Sequence, residues 1–262
     1  MHASPGGQLA GESRAGNIEG GADRCVAGNG SQESVPDLSR SGLGSQDGRT
    51  ASQVHVFRAG PGMTRVLAIN GSYRDDGITD QIVETMAQAV TAAGGEIEVV
   101  QLRSYPIEFC LNCRECTQQP GTMPGHCVHS DGMAALIDKI ESADAYILAS
   151  PTNFSSVTAV FKRFMERLIV YAYWPWGTAT PKFRKAGLPP KKAVLVSSSA
   201  APGILGRWIF ATRGQLGITA KTIGATVIGT VFPGLIAKQR NTQVPDKLKT
   251  RATALAKRLV RD

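Results

Sequence analysis

Four of the five cysteines in this chain of 262 residues fall in one short segment. Cys110, Cys113 and Cys116 follow a C-x2-C-x2-C spacing, and ten residues separate Cys116 from Cys127. Thiols so close together in a chain are typical of metal or redox chemistry, whereas a disulfide framework spreads its cysteines along the fold. Cys25 stands alone, and we assign no role to it. The segment therefore predicts a metal or redox site.

A second candidate site begins after the first predicted strand, where residues 71–79 read GSYRDDGIT and lead into a helix. Backbone amides and the helix dipole at such a helix start attract one terminal phosphate, and the hydroxyls of Ser72 and Thr79 add donors. Arg74 offers a bidentate contact. The simpler alternative is that Thr79 only caps the helix and that Arg74 is solvated. The loop has neither G-x-G-x-x-G nor G-x-x-x-x-G-K-[ST], which excludes a dinucleotide fingerprint and a P-loop.

Two further loops follow predicted strands and are rich in small or polar residues. In residues 150–156 (SPTNFSS), Pro151 favours an extended turn whose amides could face a planar ligand, and Phe154 provides a stacking face. In residues 197–203 (SSSAAPG), small side chains permit a ring system to approach; for both loops an ordinary tight turn is the alternative. No G-x-S-x-G elbow is present, so a serine hydrolase is not expected. The candidate binding residues in these loops are Pro151, Thr152, Asn153, Phe154, Ser198, Ser199, Ala200 and Gly203.

Short apolar runs alternate with amphipathic segments, and this alternation supplies the elements that position the three loops. It favours an α/β fold, a doubly wound five-stranded parallel sheet covered by helices on both faces. Such a sheet binds its ligand outside the carboxyl ends of the strands, which is where the loops lie. The predicted strands are 65–70, 96–102, 145–150, 193–198 and 222–231, and the predicted helices are 78–94, 133–142, 157–173, 203–215 and 245–260.

Residues 1–62 differ in composition from the rest of the chain. They contain 13 of the 29 glycines but only nine Leu, Ile, Val and Phe residues, too little apolar surface to offset the entropy of ordering. We therefore expect a disordered tail over 1–62 and one globular domain over 63–262. Met63 is an alternative start of translation.

The net charge of +8 divides into −1 for residues 1–62, −7 for 63–150 and +16 for 151–262. A basic half can attract nucleic acid, a membrane surface or phosphorylated small molecules. No nucleic-acid-binding motif is present, no apolar run of 18 residues could cross a membrane, and the N-terminus does not read as a secretory signal. We therefore expect a cytoplasmic protein that binds neither nucleic acid nor a membrane.

Taken together, the loops resemble those of the flavodoxin-like NAD(P)H-dependent FMN reductase family. GSYRDDGIT is similar to that family's phosphate loop, GSxRxxGNT, with Ile78 in place of the usual Asn. SPTNFSSVTAVFKRFMER is similar to its second flavin loop and following helix, SPxYxxxxxxxLKxFxDR, with Asn153-Phe154 in place of an x-Tyr pair. The resemblance covers most of residues 63–262.

The resemblance implies strand order 2-1-3-4-5 and FMN bound across the carboxyl ends of strands one, three and four. The phosphate would meet Ser72, Arg74, Gly77, Ile78 and Thr79, and the ring would meet residues 151–154 and 198–203. NAD(P)H would reduce the flavin, which would pass electrons to a small acceptor such as a quinone, a nitro or azo compound or a free flavin. No catalytic side chain is implied, because the flavin carries the hydride chemistry. A homodimer or homotetramer is also implied.

The cysteine segment resembles the cysteine-rich insertion of the iron–sulfur flavoprotein branch of the same family. That resemblance implies a [4Fe–4S] cluster on Cys110, Cys113, Cys116 and Cys127. It also leaves open an electron-transfer protein that works with a ferredoxin-like partner. Zinc, with His126 or His129 replacing one thiol, and cysteines that bind no metal are the alternatives. A module that has lost flavin altogether is a third functional hypothesis.

Overall fold

The computed structural model describes residues 62–202, 209–234 and 242–261. In this part of the chain, five parallel strands form one sheet in the order β2-β1-β3-β6-β7, and a two-stranded antiparallel hairpin, β4-β5, forms another. Counted within the large sheet alone, this is the predicted order 2-1-3-4-5, which is confirmed. The strands are β1 (Arg65–Asn70), β2 (Glu96–Gln101), β3 (Ala145–Ala149), β4 (Ala172–Tyr173), β5 (Lys182–Phe183), β6 (Lys191–Val196) and β7 (Ala225–Val231).

Helices cover both faces of the large sheet, because successive side chains of a strand point to opposite sides. In β1, Val66 and Ala68 join the core under α1 and α5, whereas Leu67 and Ile69 join the core under α2, α3 and α4. All four side chains are fully buried. The helices are α1 (Ile78–Ala92), α2 (Met133–Ser142), α3 (Ala159–Arg167), α4 (Thr212–Thr222) and α5 (Asp246–Val260).

The helix predicted over 157–173 is shorter than expected, and this part of the prediction is wrong. It spans only Ala159–Arg167 and continues as a 3-10 turn, Leu168–Tyr171, into β4. The carbonyl of Val170 accepts hydrogen bonds from the Gly125 amide (2.8 Å) and from Arg184 Nε (3.0 Å). Contacts with distant segments therefore end the helix, although apolar residues continue at helical spacing beyond Arg167.

The last two helices also differ in their limits from the prediction. Residues 203–208 of the helix predicted over 203–215 lie outside the described residues, and α4 continues through Thr222. The strand predicted from Thr222 begins at Ala225, because Gly224 turns the chain at a positive φ of 82°. Pro245 is the N-cap of α5 rather than its first helical residue.

Two further expectations concern the N-terminal tail and membrane-spanning helices. Except for Gly62, the tail predicted over 1–62 lies outside the described residues. None of the helices in the described part of the chain is both long and apolar enough to span a membrane.

Candidate functional site

The loop after β1 is fixed where it leaves the sheet. The amide of Gly71 donates to Ala149 O at the end of β3 (2.8 Å), and its carbonyl accepts from Thr158 Oγ1 (2.7 Å), the N-cap residue of α3. A Cβ atom at Gly71 would lie 2.8 Å from Phe161 Cβ, closer than such atoms approach one another. A glycine is therefore required at this position because the backbone that leaves β1 passes directly against Phe161 and Thr158 at the start of α3.

The N-terminus of α1 lies at the other end of this loop. Gly77 is its N-cap residue, and no side chain of the described residues caps it. The amides of the first turn of a helix have no partner within the helix, so this end of α1 presents donors and a positive dipole end. Thr79 does not cap the helix: it is buried inside the first turn, with Oγ1 3.1 Å from Ser198 Oγ. The alternative that Thr79 is only a cap is therefore wrong.

The Thr79–Ser198 contact joins the first loop to the loop after β6, and the loop after β3 is joined to the same place. The amide of Thr152 donates to Ser198 O (2.7 Å), and Thr212 Oγ1 donates to Thr152 Oγ1 (3.0 Å). The three loops therefore meet where the carboxyl ends of β1, β3 and β6 converge, as the doubly wound order requires.

Together the loops enclose a cavity of about 280 Å³. Most of the predicted binding residues line it, namely Ser72, Arg74, Gly77, Ile78, Thr79, Pro151, Thr152, Asn153 and Ser198. Phe154, Ser199 and Ala200 do not: Phe154 and Ala200 are exposed, and the Ser199 amide donates to Pro233 O (3.1 Å). Gly203 lies outside the described residues.

Phe154 occupies a strained turn beside the cavity. Asn153 and Ser156 exchange both backbone hydrogen bonds (2.8 and 3.0 Å), with Phe154 and Ser155 at positive φ values of 47° and 64°. A positive φ is uncommon for bulky residues and costs about 1–3 kcal/mol. Gln215 of α4 supports the turn by accepting from Ser156 Oγ (2.8 Å) and from the Val157 amide (3.0 Å). The turn therefore holds an aromatic ring fully in solvent, one residue beyond Asn153 of the cavity wall.

Several residues that organise this edge were not predicted. Asn70, the last residue of β1, is fully buried, accepts from the Ser72 amide (2.9 Å) and donates to Asp80 Oδ1 (2.7 Å). Gln81 donates to Asp76 O (2.9 Å) and accepts from the Val244 amide (3.1 Å), which ties the loop to the segment before α5. A polar residue ending an apolar strand could have drawn attention to Asn70, whereas Gln81 has no comparable sequence feature.

The four clustered cysteines line a second, smaller cavity, together with Arg114, His129 and Arg167 among others. Cys116 is buried, and the other three thiols are half-buried. Burial, followed by the neighbouring thiols of Cys127, Cys110 and Cys113, raises the pKa of Cys116 to about 11. The four thiols are therefore close enough to influence one another electrostatically.

In the described part of the chain, no three Cys, His, Asp or Glu side chains come together closely enough to hold one metal ion. His129 is instead near Phe109 O, with Nε2 3.0 Å away. This arrangement does not provide the close ligand set that a single zinc ion requires. A [4Fe–4S] cluster is larger and takes one thiolate on each iron, so its ligands lie farther apart.

Arg167 is the most deeply buried charged group beside the cysteines, with 1% of its surface exposed. It donates to both oxygens of Asp131 (2.6 and 3.1 Å), to Glu108 O (2.8 Å) and to Cys127 Sγ (3.4 Å). Burial alone would raise the pKa of Asp131, but the hydrogen bonds from Arg167 and two backbone amides, with the charge of Arg167, lower it to about 2. A buried ion pair thus fixes the segment that carries Cys127.

Two other arginines hold the segment from different sides. Arg114 lies between the rings of Trp174 (3.8 Å) and Trp176 (4.3 Å) and donates to Trp174 O (2.7 Å). Arg184, which is buried, donates to the carbonyl of Cys116 (3.1 Å) and to that of Val170 (3.0 Å). The two tryptophans therefore pack against the cysteine segment and do not line the cavity at the sheet edge.

The Nε atoms of Arg114 and Arg167 are both buried without a hydrogen-bond partner among the described residues. Both arginines line the cysteine cavity. The charge of Arg167 is already paired with Asp131, but a buried N–H donor without an acceptor is costly. Four thiolates on an iron–sulfur cluster carry net negative charge, so the donor set and its charged surroundings suit such a group.

The fold and the position of the first cavity define a class, the flavodoxin-like α/β proteins. Among solved structures, the FMN-dependent NADH-azoreductase from Bacillus anthracis in complex with FMN is similar, with a TM-score of 0.56, 12% identity and coverage of 76% of this chain and 100% of that one. A flavone reductase has a TM-score of 0.51 and 20% identity, over 75% of this chain and 62% of that one. At these identities the likeness shows the fold alone.

Sequence comparison identifies the family. The model of the NADPH-dependent FMN reductases matches residues 64–231, and the chain belongs to this family. An iron–sulfur flavoprotein of Archaeoglobus fulgidus is 32% identical over 111 residues, 42% of this chain and 48% of that protein. One from Methanocaldococcus jannaschii is 31% identical over 103 residues, 39% of this chain and 51% of that protein. The chain spans about half the length of these relatives.

Proposed function

We propose that this chain is an oxidoreductase that uses NAD(P)H to reduce a small acceptor, such as a quinone, a nitro or azo compound or a free flavin, with FMN as its bound cofactor. The observation that carries the proposal is the cavity at the carboxyl ends of β1, β3 and β6, which the uncapped N-terminus of α1 faces with Gly77 and Thr79 on its wall. Family membership supports the same cofactor.

The phosphate of FMN would bind at the start of α1. The amides of Gly77, Ile78 and Thr79 lie at the positive end of the helix, and a phosphate placed there would accept from donors that have no partner within the helix. Ser72 and Arg74 line the same cavity, although the Ser72 hydroxyl donates to Arg74 O (3.2 Å) and would have to turn to reach a ligand. The backbone is therefore the main source of phosphate contacts.

The ring would lie against Pro151, Thr152, Asn153 and Ser198, the residues of the second and third loops that line the cavity. When bound, FMN supplies the ring that accepts a hydride from the nicotinamide and releases electrons to the acceptor. The protein would orient the ring and exclude water from one face, and the exposed ring of Phe154, next to Asn153 of the cavity wall, would cover the other face. The chain needs no acid or base of its own for this reaction.

The test is a titration of the purified protein with FMN and with riboflavin, followed by anaerobic addition of NADPH or NADH. We expect FMN to bind more tightly than riboflavin and the yellow absorbance to bleach with a nicotinamide. The variant Arg74→Ala should lower FMN affinity about tenfold and leave riboflavin affinity unchanged, since it removes a charge-assisted contact to phosphate only. A protein that binds no FMN would refute the proposal and favour the module that has lost flavin.

A second candidate function, an iron–sulfur flavoprotein that exchanges electrons with a ferredoxin-like partner, is favoured by the cysteine cavity. Its four thiols, the buried Arg167 and the buried Nε atoms of Arg114 and Arg167 suit a negatively charged cluster. The names of the relatives support the same group. Cys110, Cys113, Cys116 and Cys127 would hold it, and it would supply one-electron transfer.

Iron and sulfide analysis of anaerobically purified protein tests this candidate. We expect about four irons per chain and a brown colour. Replacing Cys116 with Ser should abolish iron binding and leave FMN binding intact, because the two cavities are lined by different residues. A yellow, iron-free protein that turns over with NADPH would exclude the cluster and leave the first proposal standing. The predicted homodimer or homotetramer can be measured on the same sample by light scattering.

A further inference from the structure

The proposed phosphate loop has an unfavourable composition for binding an anion. Residues 74–80 contain three carboxylates, those of Asp75, Asp76 and Asp80, and a single cation, Arg74. Both Asp75 and Asp76 line the cavity itself. A terminal phosphate carries close to two negative charges at neutral pH, and like charges at this distance repel one another. Another group must offset the carboxylates if the site is to accept a phosphate.

Arg103 is placed to do so from a different part of the fold. It lies in the 3-10 turn after β2, and its side chain reaches the end of the neighbouring strand β1. Nη2 donates to Asp75 Oδ1 (2.6 Å), and Nη1 forms an ion pair with Asp80 Oδ2 (3.4 Å). The side chain is only 21% exposed, so solvent screens its charge less than that of a surface arginine.

The same guanidinium also holds the main chain of the loop. Nη1 donates to Ser72 O (3.0 Å) and to Gln101 Oε1 (3.0 Å), which anchors the loop to the end of β2. Because a peptide group is planar, fixing the Ser72 carbonyl also fixes the direction of the Tyr73 amide. Arg103 is not among the residues that line the cavity in the described part of the chain, so it does not touch a ligand there.

We propose that Arg103 is a positioning residue that makes this loop competent for a phosphate group, by neutralising Asp75 and Asp80 and by fixing the loop backbone. The inference rests on the proposed FMN site and concerns which part of FMN that site recognises. It predicts that Arg103 affects the binding of the phosphate and not that of the ring. Part of this effect is electrostatic, since its partners are Asp75, which lines the cavity, and Asp80, which lies in the first turn of α1.

The experiment compares FMN with riboflavin, which lacks the phosphate, in wild type, Arg103→Gln and the double variant Arg103→Gln/Asp75→Asn. Arg251→Gln, on the exposed face of α5, is the control for loss of one positive charge. We expect Arg103→Gln to weaken FMN binding about tenfold or more and to leave riboflavin binding unchanged. Adding Asp75→Asn should restore most of the loss, and added salt should narrow the difference between Arg103→Gln and wild type.

Equal losses for both ligands, or no recovery in the double variant, would mean that Arg103 only maintains the structure, and the inference would be wrong. If Arg103→Gln does not fold, Asp75→Asn alone decides: it should tighten FMN binding and not riboflavin binding, and an unchanged FMN affinity would overturn the inference. If wild type binds FMN and Arg103→Gln binds it with the same affinity, only the role of Arg103 is overturned. A wild-type protein that does not bind FMN overturns the proposed function as well.

Discussion

The two cavities of this protein are built in opposite ways. At the sheet edge, the groups that would bind a ligand are backbone amides and small hydroxyls, supplied by consecutive residues of three short loops. At the cysteine cavity they are side chains, and arginines hold them in place through contacts between distant parts of the sequence. The first construction follows from where parallel strands end, whereas the second depends on individual long-range contacts. A single substitution should therefore disrupt one cavity and leave the other intact.

The largest effect is expected from Gly125→Ala. A Cβ atom there would lie 1.7 Å from the carbonyl oxygen of Cys116, and because that oxygen belongs to the backbone, the chain itself must move. We expect a loss of about 3 kcal/mol or more in the free energy of unfolding. Cys116 should become reactive toward a thiol reagent, since its burial depends on this packing. FMN affinity should not change.

The matched control for this variant is Gly214→Ala. Nothing lies within 4 Å of a Cβ atom at that position of α4, so the substitution should stabilise the protein slightly. If Gly125→Ala lowered FMN affinity as strongly as it exposed Cys116, the two cavities would be coupled and the comparison would be wrong.

Gly71→Ala makes the reciprocal change at the sheet edge. Its Cβ atom would lie 2.8 Å from Phe161 Cβ, and α3 or the loop must shift to make room. We expect a loss of about 2–3 kcal/mol in stability and a clear loss of FMN affinity. The reactivity of Cys116 should stay at its wild-type level, which a thiol titration can check. Increased reactivity would show that the shift reaches the cysteine cavity through α3.

The same contrast explains how much could be predicted from the sequence. A buried apolar run ending at Asn70, a helical period from Ile78 and a proline after Ser150 predict the strands and the meeting of three loops, whereas the strand order is implied by the family resemblance. The end of the helix at Arg167 could not be predicted, because it depends on distant residues. Arg184 and the amide of Gly125 both donate hydrogen bonds to the carbonyl of Val170. The local sequence determines where helices and strands form and where strands end. The hydrogen-bond partners of a buried arginine lie far away in the sequence and cannot be identified from it.

One component of the pH dependence of stability should come from the ion pair beside the cysteine cavity. Asp131 has a pKa lowered from 3.8 to about 2, so its ion pair with Arg167 contributes fully above pH 3.8 and is lost as the pH falls through 2. The shift corresponds to about 2 kcal/mol. Urea unfolding of wild type between pH 2 and 5 should show this loss in excess of the loss shown by Asp131→Asn.

Asp131→Asn will be less stable at every pH in that range, because it leaves the charge of Arg167 buried without its partner. What tests the assignment is the slope of stability against pH, which should be flatter for this variant. Asp246→Asn, which removes a fully exposed carboxylate, should keep the wild-type slope. Parallel slopes for wild type and Asp131→Asn would show that another group is responsible.

The smallest effect is expected from Phe154→Asn, and it separates strain from binding at the sheet edge. Asn tolerates the positive φ of 47° better than Phe, so the variant should be about 1 kcal/mol more stable. If the exposed ring of Phe154 covers bound flavin, the same variant should bind both FMN and riboflavin more weakly, in contrast to Arg103→Gln, which should affect FMN alone. If the variant gains stability and its affinities for FMN and riboflavin are both unchanged, the strained turn has no part in flavin binding. Phe154 would then not belong to the site.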